Sequence, residues 1–383
     1  MLWEGIVMRT LQPYDLQPGM KLLEAVITPS GQVLAPAGSE ITRQLINRMK
    51  LYRVASAVVE GEDITLAPVS NTAANAPVPE PPKPRTYINE VKTAKQKVAS
   101  SDAFHTFQMQ YALAMEELKK VFTDIVDYGK EIEPDTLLDC VADLFRSRNT
   151  ITELFDMLNN TRTINDSVYA HSVNVALIAR MIGRWLKMDT HDLKILTLAG
   201  LLHDIGKVKV PEEILNKSGS LTDEEFALIK NHPRYGYDIL KYQSIDPRIK
   251  KAALMHHERC DGSGYPSHLT EDNIDAFAMI IAIANVYDAM TAARSYRAPL
   301  CAFQVIGNFE KDGYQKYNTR YLLTFLKQIA ATYQSNRVVL NDGRGCNIVM
   351  LNQNDLSRPI VQFDDNSCLD LSTNRDLYIK AII

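Results

Sequence analysis

A chain of 383 residues, 46% of them apolar, has room for two or three domains and enough apolar side chains to bury real cores. A formal net charge of −4 gives no global basic field for duplex nucleic acid, so an anionic ligand has to be small and met by a local pocket. The five cysteines (Cys140, Cys260, Cys301, Cys346, Cys368) are odd in number, widely spaced and without a C-x-x-C pair, which fits free thiols in a reducing cytosol better than a disulfide framework.

The N-terminal stretch MLWEGIVMRT carries Glu4 and no extended apolar core, unlike a signal peptide, and no run approaches the roughly 20 apolar residues of a membrane helix. A cytoplasmic protein without a membrane span is expected. Residues 5–60 alternate short β-like runs with turn signals at Gln17-Pro18-Gly19, Pro29-Ser30-Gly31 and Pro36-Ala37-Gly38, with a short helical stretch near 41–49 and an apolar run at 54–59. Residues 1–65 are therefore expected to form a small α+β module. The segment 66–86 is rich in Pro and Ala and poor in large apolar residues, the composition of a semi-stiff linker.

From about residue 87 to 326 the periodicity is helical, punctuated by Pro134, Pro211, Pro233, Pro247 and Pro266. Residues 87–150 read as a helical connector. Within it, 103-AFHTFQMQYALAMEELKKVF-122 carries an apolar stripe that marks a packed core helix more often than the seam of a homodimer. Residues 151–335 read as the main helical domain. After Asn336, strand-like runs separated by Asn-Asp-Gly-Arg-Gly and Asn-Gln-Asn-Asp predict a small β-rich extension over 336–383. The expected fold class is multidomain and mainly α-helical, a helical bundle flanked by the small α+β module and the β-rich extension.

Six of the eight histidines fall between residues 171 and 257. His191 follows Thr190 at a helix start and reads as an exposed first-turn residue. His171 is followed by Val175, Ile178 and Ile182 at i+4, i+7 and i+11, which turns it inward. His203 and Asp204, in GLLHDIGK, are expected to end a helix that Thr190 caps and Gly206 stops. His232 is expected to end a helix opened by the capping box of Thr222 and Glu225 and closed by Pro233. His256 and His257 end a helix opened by Asp246 and Pro247. Any one of these has an ordinary explanation, as a core imidazole bonded to a carbonyl or a charge at a helix end. Five histidines and an aspartate at inward or helix-end positions of one helical region point instead to a shared metal centre. Nitrogen and oxygen donors without sulfur suit iron, manganese or zinc, and six donors exceed the needs of one tetrahedral ion, so two ions are expected. Two metals about 3.5–4 Å apart are a common device for cleaving phosphate esters. Lys207, one turn past His203, could meet a phosphate oxygen as a point charge.

The phrases HSVNVA, HDIGK, ILNKSGSLT, HPRYG, HHERCDGSGYP and NVYDAMTAARSYR, in this order, resemble the HD-GYP branch of the HD metal-dependent phosphohydrolase superfamily, cyclic-dinucleotide phosphodiesterases of bacterial signalling. The resemblance covers roughly residues 156–332. It implies that His171, His203, Asp204, His232, His256 and His257 bind iron or manganese ions, with Asp204 and Lys207 in the catalytic centre. It also implies that Tyr265 contacts the dinucleotide, while Lys207, Arg294 and Arg297 meet its phosphates. The implied reaction is hydrolysis of cyclic di-GMP to linear pGpG, and on to GMP.

Three positions depart from the pattern. Asn285 stands where the family has a metal-bridging aspartate, a neutral and weaker ligand. Ser167 replaces a glutamate typical of three-metal members, which favours two ions. Ser295 replaces a usual proline. Because of Asn285, the alternative is a catalytically weakened cyclic di-GMP receptor that signals to protein partners; a mixed cyclic dinucleotide remains a competing substrate. Residues 12–60 and the C-terminal β stretch resemble modules that flank such domains, with regulation or dimerisation as the expected role.

Overall fold

The computed structural model describes most of residues 7–61, residues 101–146, part of 154–161, residues 167–292 except 216 and 218, and residues 299–383. The linker at 66–86 lies outside the described residues. The chain divides into two compact units, residues 1–85 and 86–383.

In the first unit, strand β1 (Val7–Leu11) pairs antiparallel with β4 (Ala57–Gly61), and the short strands β2 (Val26–Ile27) and β3 (Val33–Ala35) form a hairpin. Gly19 and Gly38, the third residues of two turn signals, both take positive φ, at 96° and 82°. Leu22, Ile41, Met49 and Val59 are buried in a core of this unit's own.

The second unit is built on helices. Helix α1 (Asp102–Tyr128) starts at Ser101, whose hydroxyl accepts from Phe104 N, and ends at Gly129 in the left-handed region. Its buried residues (Phe104, Phe107, Tyr111, Ala114, Leu118, Phe122, Ile125) recur every three or four positions, the stripe of a packed core helix. There follow α2 (Pro134–Arg146), α3 (Val168–Trp185), α4 (Thr190–Leu202), α5 (Asp223–Ile229), α6 (His232–Leu240), α7 (Pro247–Met255), α8 (Ala276–Thr291), α9 (Ala302–Lys316) and α10 (Thr319–Thr332). Helices α3 and α8 are apolar nearly all round, so they lie at the centre of the bundle.

The chain ends in a five-stranded antiparallel sheet: β5 (Arg337–Leu340), β6 (Gly345–Met350), β7 (Ile360–Gln362), β8 (Cys368–Asp370) and β9 (Ile379–Ile382), in the spatial order β8, β7, β6, β5, β9. Val338, Leu340, Cys346 and Ile348 point to one face and join the same buried cluster as the helices, as do the α1 residues. The architecture is thus a mainly helical core with small N-terminal strands and a C-terminal antiparallel sheet.

Candidate metal centre

The site is assembled from helix ends. Ser167 caps α3, its Oγ accepting from Ala170 N at 3.1 Å, and places His171 in the first turns of that helix. Helix α4 is capped by Asp189 and not by Thr190, which is the first helical residue; the carboxylate accepts from Asp192 N at 2.8 Å and better satisfies a free helix-start N–H than a hydroxyl one position later. His203 closes α4, and Asp204 leads into a single 3-10 turn, Ile205–Lys209. Gly206 serves a close approach: a side chain there would collide with the His232 carbonyl oxygen and the Gly236 nitrogen. The capping box of Thr222 and Glu225 opens α5 as the spacing predicts.

His232 departs from expectation. It does not end α5, which stops at Ile229, but begins α6. Pro233 follows in the first turn, where its missing N–H costs nothing, so this proline starts a helix instead of closing one. Helix α7 runs from its Asp246 cap to His256, and His257 follows directly.

These ends converge on Asp204. Its Oδ1 lies 3.2 Å from His232 Nε2 and 3.6 Å from His256 Nε2; its Oδ2 lies 3.4 Å from His203 Nε2, 3.5 Å from His171 Nε2 and 2.6 Å from Lys207 Nζ. Two groups with converging ligand atoms result, Asp204 with His232, His256 and His257, and Asp204 with His171 and His203. The carboxylate belongs to both. Asn285, on α8 and 7% exposed, brings its Oδ1 within 3.0 Å of His171 Nε2.

The far sides of the rings are held by acceptors. His203 Nδ1 donates to Gly200 O (2.7 Å), His232 Nδ1 to Ile229 O (2.6 Å), His256 Nδ1 to Ala253 O (3.0 Å), and His171 Nδ1 to Asp288 Oδ2 (2.6 Å). A carbonyl or carboxylate oxygen only accepts here, so each Nδ1 carries a proton and each ring turns its Nε2 toward the centre. Burial pushes the imidazolium forms of His203 and His257 well below the usual range and that of His256 to about 4, so these three rings are neutral at neutral pH. Burial works to raise the Asp204 carboxyl, but the Lys207 ammonium 2.6 Å away opposes it, and the carboxyl is held well below the usual range.

This donor set fits divalent cations. His232 Nε2 and His256 Nε2 face each other at 3.1 Å, both bearing lone pairs when neutral, and His203 Nε2 and Asp204 Oδ1 are buried without a hydrogen bond. Lone pairs crowded in this way repel unless a cation stands where they converge. Ring nitrogens oriented by carbonyls and a carboxylate are the outer-shell pattern of metal-binding histidines.

The remaining expected residues fall as follows. Lys207 is ion-paired with Asp204 at the edge of a cleft of about 590 Å³ that opens on His171. Tyr265 stacks on His257, with centroids 4.6 Å apart and planes at 16°. Its loop packs so closely that a side chain at Gly264 would strike the backbone of residues 257–259. Arg294, Arg297 and Ser295 lie outside the described residues. His191 is exposed in the first turn of α4.

Two contributors lie inside the quoted motifs but have no role assigned from them. Glu258, 2% exposed, accepts from Ser267 N (2.7 Å) and Leu269 N (3.0 Å) and so ties the glycine-rich loop to the end of α7. Asp288 orients His171 from α8. Its signal was available, a carboxylate in the last turn of the apolar helix AFAMIIAIANVYDAMT, where burial without a partner is costly.

Residues 153–319 match a family described as HD domain. Among curated proteins, the chain is 34% identical over 212 residues to the cyclic di-GMP phosphodiesterase PA4108 of Pseudomonas aeruginosa, covering 55% of this chain and 50% of that protein. It is 39% identical over 153 residues to 3'3'-cGAMP-specific phosphodiesterase 1 of Vibrio cholerae, covering 39% and 35% of the two. The solved structure of Bd1817, an HDG"Y"P protein from Bdellovibrio bacteriovorus, aligns with a TM-score of 0.47 and 17% identity over 83% of this chain and 98% of that one. The match thus spans half of the first relative's length and about a third of the second's.

Proposed function

We propose, from the match of residues 153–319 to the HD domain family and the similarity to cyclic di-GMP phosphodiesterases, that the chain is a metal-dependent phosphodiesterase that opens cyclic di-GMP to linear pGpG, and on to GMP, in bacterial second-messenger signalling. The observation that carries this reading is the single carboxylate, Asp204, shared between two sets of inward-facing imidazoles.

On this reading His232, His256 and His257 would hold one divalent ion and His171 and His203, with Asn285, a second, the Asp204 carboxylate belonging to both sets. Iron or manganese suits these donors. When bound, the pair of ions supplies a water nucleophile at neutral pH and neutralises charge gathering on phosphorus. The chain's own residues do the rest. Asp288 keeps the His171 ring turned inward, and Lys207 places a positive charge beside Asp204. Glu258 holds the loop that presents Tyr265 to the substrate, and Arg294 with Arg297 meets its phosphates. In the net step an oxygen–phosphorus bond forms from water and the bond to the leaving ribose oxygen breaks. Residues 1–65 and 336–383 are assigned regulation or dimerisation through protein partners, with 66–86 as linker, 87–150 as connector and 151–335 as the catalytic domain in the cytoplasm.

A second reading is favoured by Asn285: a receptor that binds cyclic di-GMP and turns it over poorly. The likeness to a 3'3'-cGAMP-specific enzyme makes that dinucleotide the competing substrate. The test is chromatography of products from cyclic di-GMP and 3'3'-cGAMP, using the full chain loaded with Mn²⁺ or Fe²⁺ and its metal content measured in parallel. Turnover that follows metal content supports the enzyme, and tight binding without turnover supports the receptor. A metal-loaded protein that neither binds nor cleaves either dinucleotide overturns both.

A further inference from the structure

The cleft over His171 has one wall that the HD segment does not supply. Lys119 lines it together with Tyr169, His171, Lys207 and Glu212, and Lys119 belongs to α1, upstream of the residues that match the HD family. Helix α1 is seated firmly beside α3. The Tyr111 hydroxyl lies 2.7 Å from Asn174 Oδ1 and 3.0 Å from Ala170 O, and Phe122 meets the Tyr169 ring edge-on at 5.6 Å. Lys119 sits between the buried Leu118 and Phe122, so its backbone is fixed while its side chain is exposed.

Charge in the cleft is uneven. Lys207 Nζ is committed to Asp204 Oδ2 at 2.6 Å, whereas Lys119 has no hydrogen bond or ion pair among the described residues. A cyclic dinucleotide carries two phosphodiesters, and only one at a time can occupy the reacting centre. The other enters the cleft as a fixed negative charge and needs a cation that is not already neutralised.

We infer that Lys119 is a substrate-binding residue, its ammonium holding the non-reacting phosphate of the dinucleotide against the α1 wall. The inference rests on the phosphodiesterase reading and extends the binding site to a helix outside the HD segment. Lysine suits the task as a compact point charge that can follow either phosphate when the ligand turns end for end. Since the side chain is exposed, replacing it leaves the fold intact.

The experiment is equilibrium binding of a hydrolysis-resistant bis-phosphorothioate cyclic di-GMP to the full, Mn²⁺-loaded chain. Lys119→Ala is expected to weaken binding about tenfold, the scale of one charge-assisted hydrogen bond, and Lys119→Glu by more. Lys119→Arg is expected to retain binding, with metal content and melting temperature unchanged in all three. The dependence of affinity on salt should flatten in Lys119→Ala, a response that lost packing would not give. Wild-type binding with an undiminished Lys119→Ala variant overturns the inference alone. A wild-type chain that fails to bind the analogue overturns the phosphodiesterase reading, and the inference with it.

Discussion

Asn285→Asp probes the metal centre most directly, because the change is isosteric and alters only charge. Asn285 is 7% exposed, with its Oδ1 3.0 Å from His171 Nε2, and Asp204 and Asp288 are buried beside the same ring. In the metal-free chain a third carboxylate joins this cluster, so Asn285→Asp is expected to lower the melting temperature. With metal the sign reverses. At an effective dielectric near 20, unit opposite charges about 4 Å apart attract by about 4 kcal/mol. Burying the new charge costs up to several kcal/mol in return. A net gain on the order of 1.5–3 kcal/mol remains, or about 10- to 150-fold in affinity for the more weakly held ion. Calorimetric titration with Mn²⁺ should resolve one tight and one weak site in the wild type and two sites of closer affinity in the variant, with higher turnover at limiting metal. An unchanged affinity for the second ion in Asn285→Asp would refute the placement of residue 285 at the metal centre.

Other perturbations test the parts around it. Asp288→Asn replaces the carboxylate that holds the His171 Nδ1 proton with a neutral, weaker acceptor, and metal affinity should fall about 10- to 100-fold, as measured by competition with a chromophoric chelator. Glu258→Gln keeps an acceptor for only one of the two loop N–H groups and turns an amide NH2 on the other; a stability loss of about 1–3 kcal/mol is expected by denaturant titration, with a raised KM and little change in metal content. Gly206→Ala forces the His232 turn away from Asp204, so the purified variant should carry less than the wild-type metal load even where it still folds. Stripping metal with a chelator should lower the wild-type melting temperature, since free metal at 100 times Kd stabilises the native state by about 2.7 kcal/mol.

Much of the site could be read from neighbouring letters. The stripe following His171, the capping box before α5, the Asp246-Pro247 start of α7 and the strand-turn texture after Asn336 all depend on residues within about four positions of one another, and each stands in the structure as expected. Two helix boundaries did not follow the local rule. Asp189 and Thr190 are both good caps, and the Asp189 carboxylate takes the role; Pro233 can close one helix or open the next, and it opens the helix whose His232 and Gly236 pack against Gly206.

Local pattern alone thus determined the element types, the inward aim of His171 and the donor chemistry, because helical period and capping are set over a turn or two of backbone. Tertiary packing decided that Asp204 is shared by two sets of imidazoles, that backbone carbonyls and Asp288 fix which ring nitrogen faces inward, and that α1 closes the cleft with Lys119. Those relations join residues up to 117 positions apart, as in the pair His171 and Asp288. Only the docking of helices brings them within bonding distance.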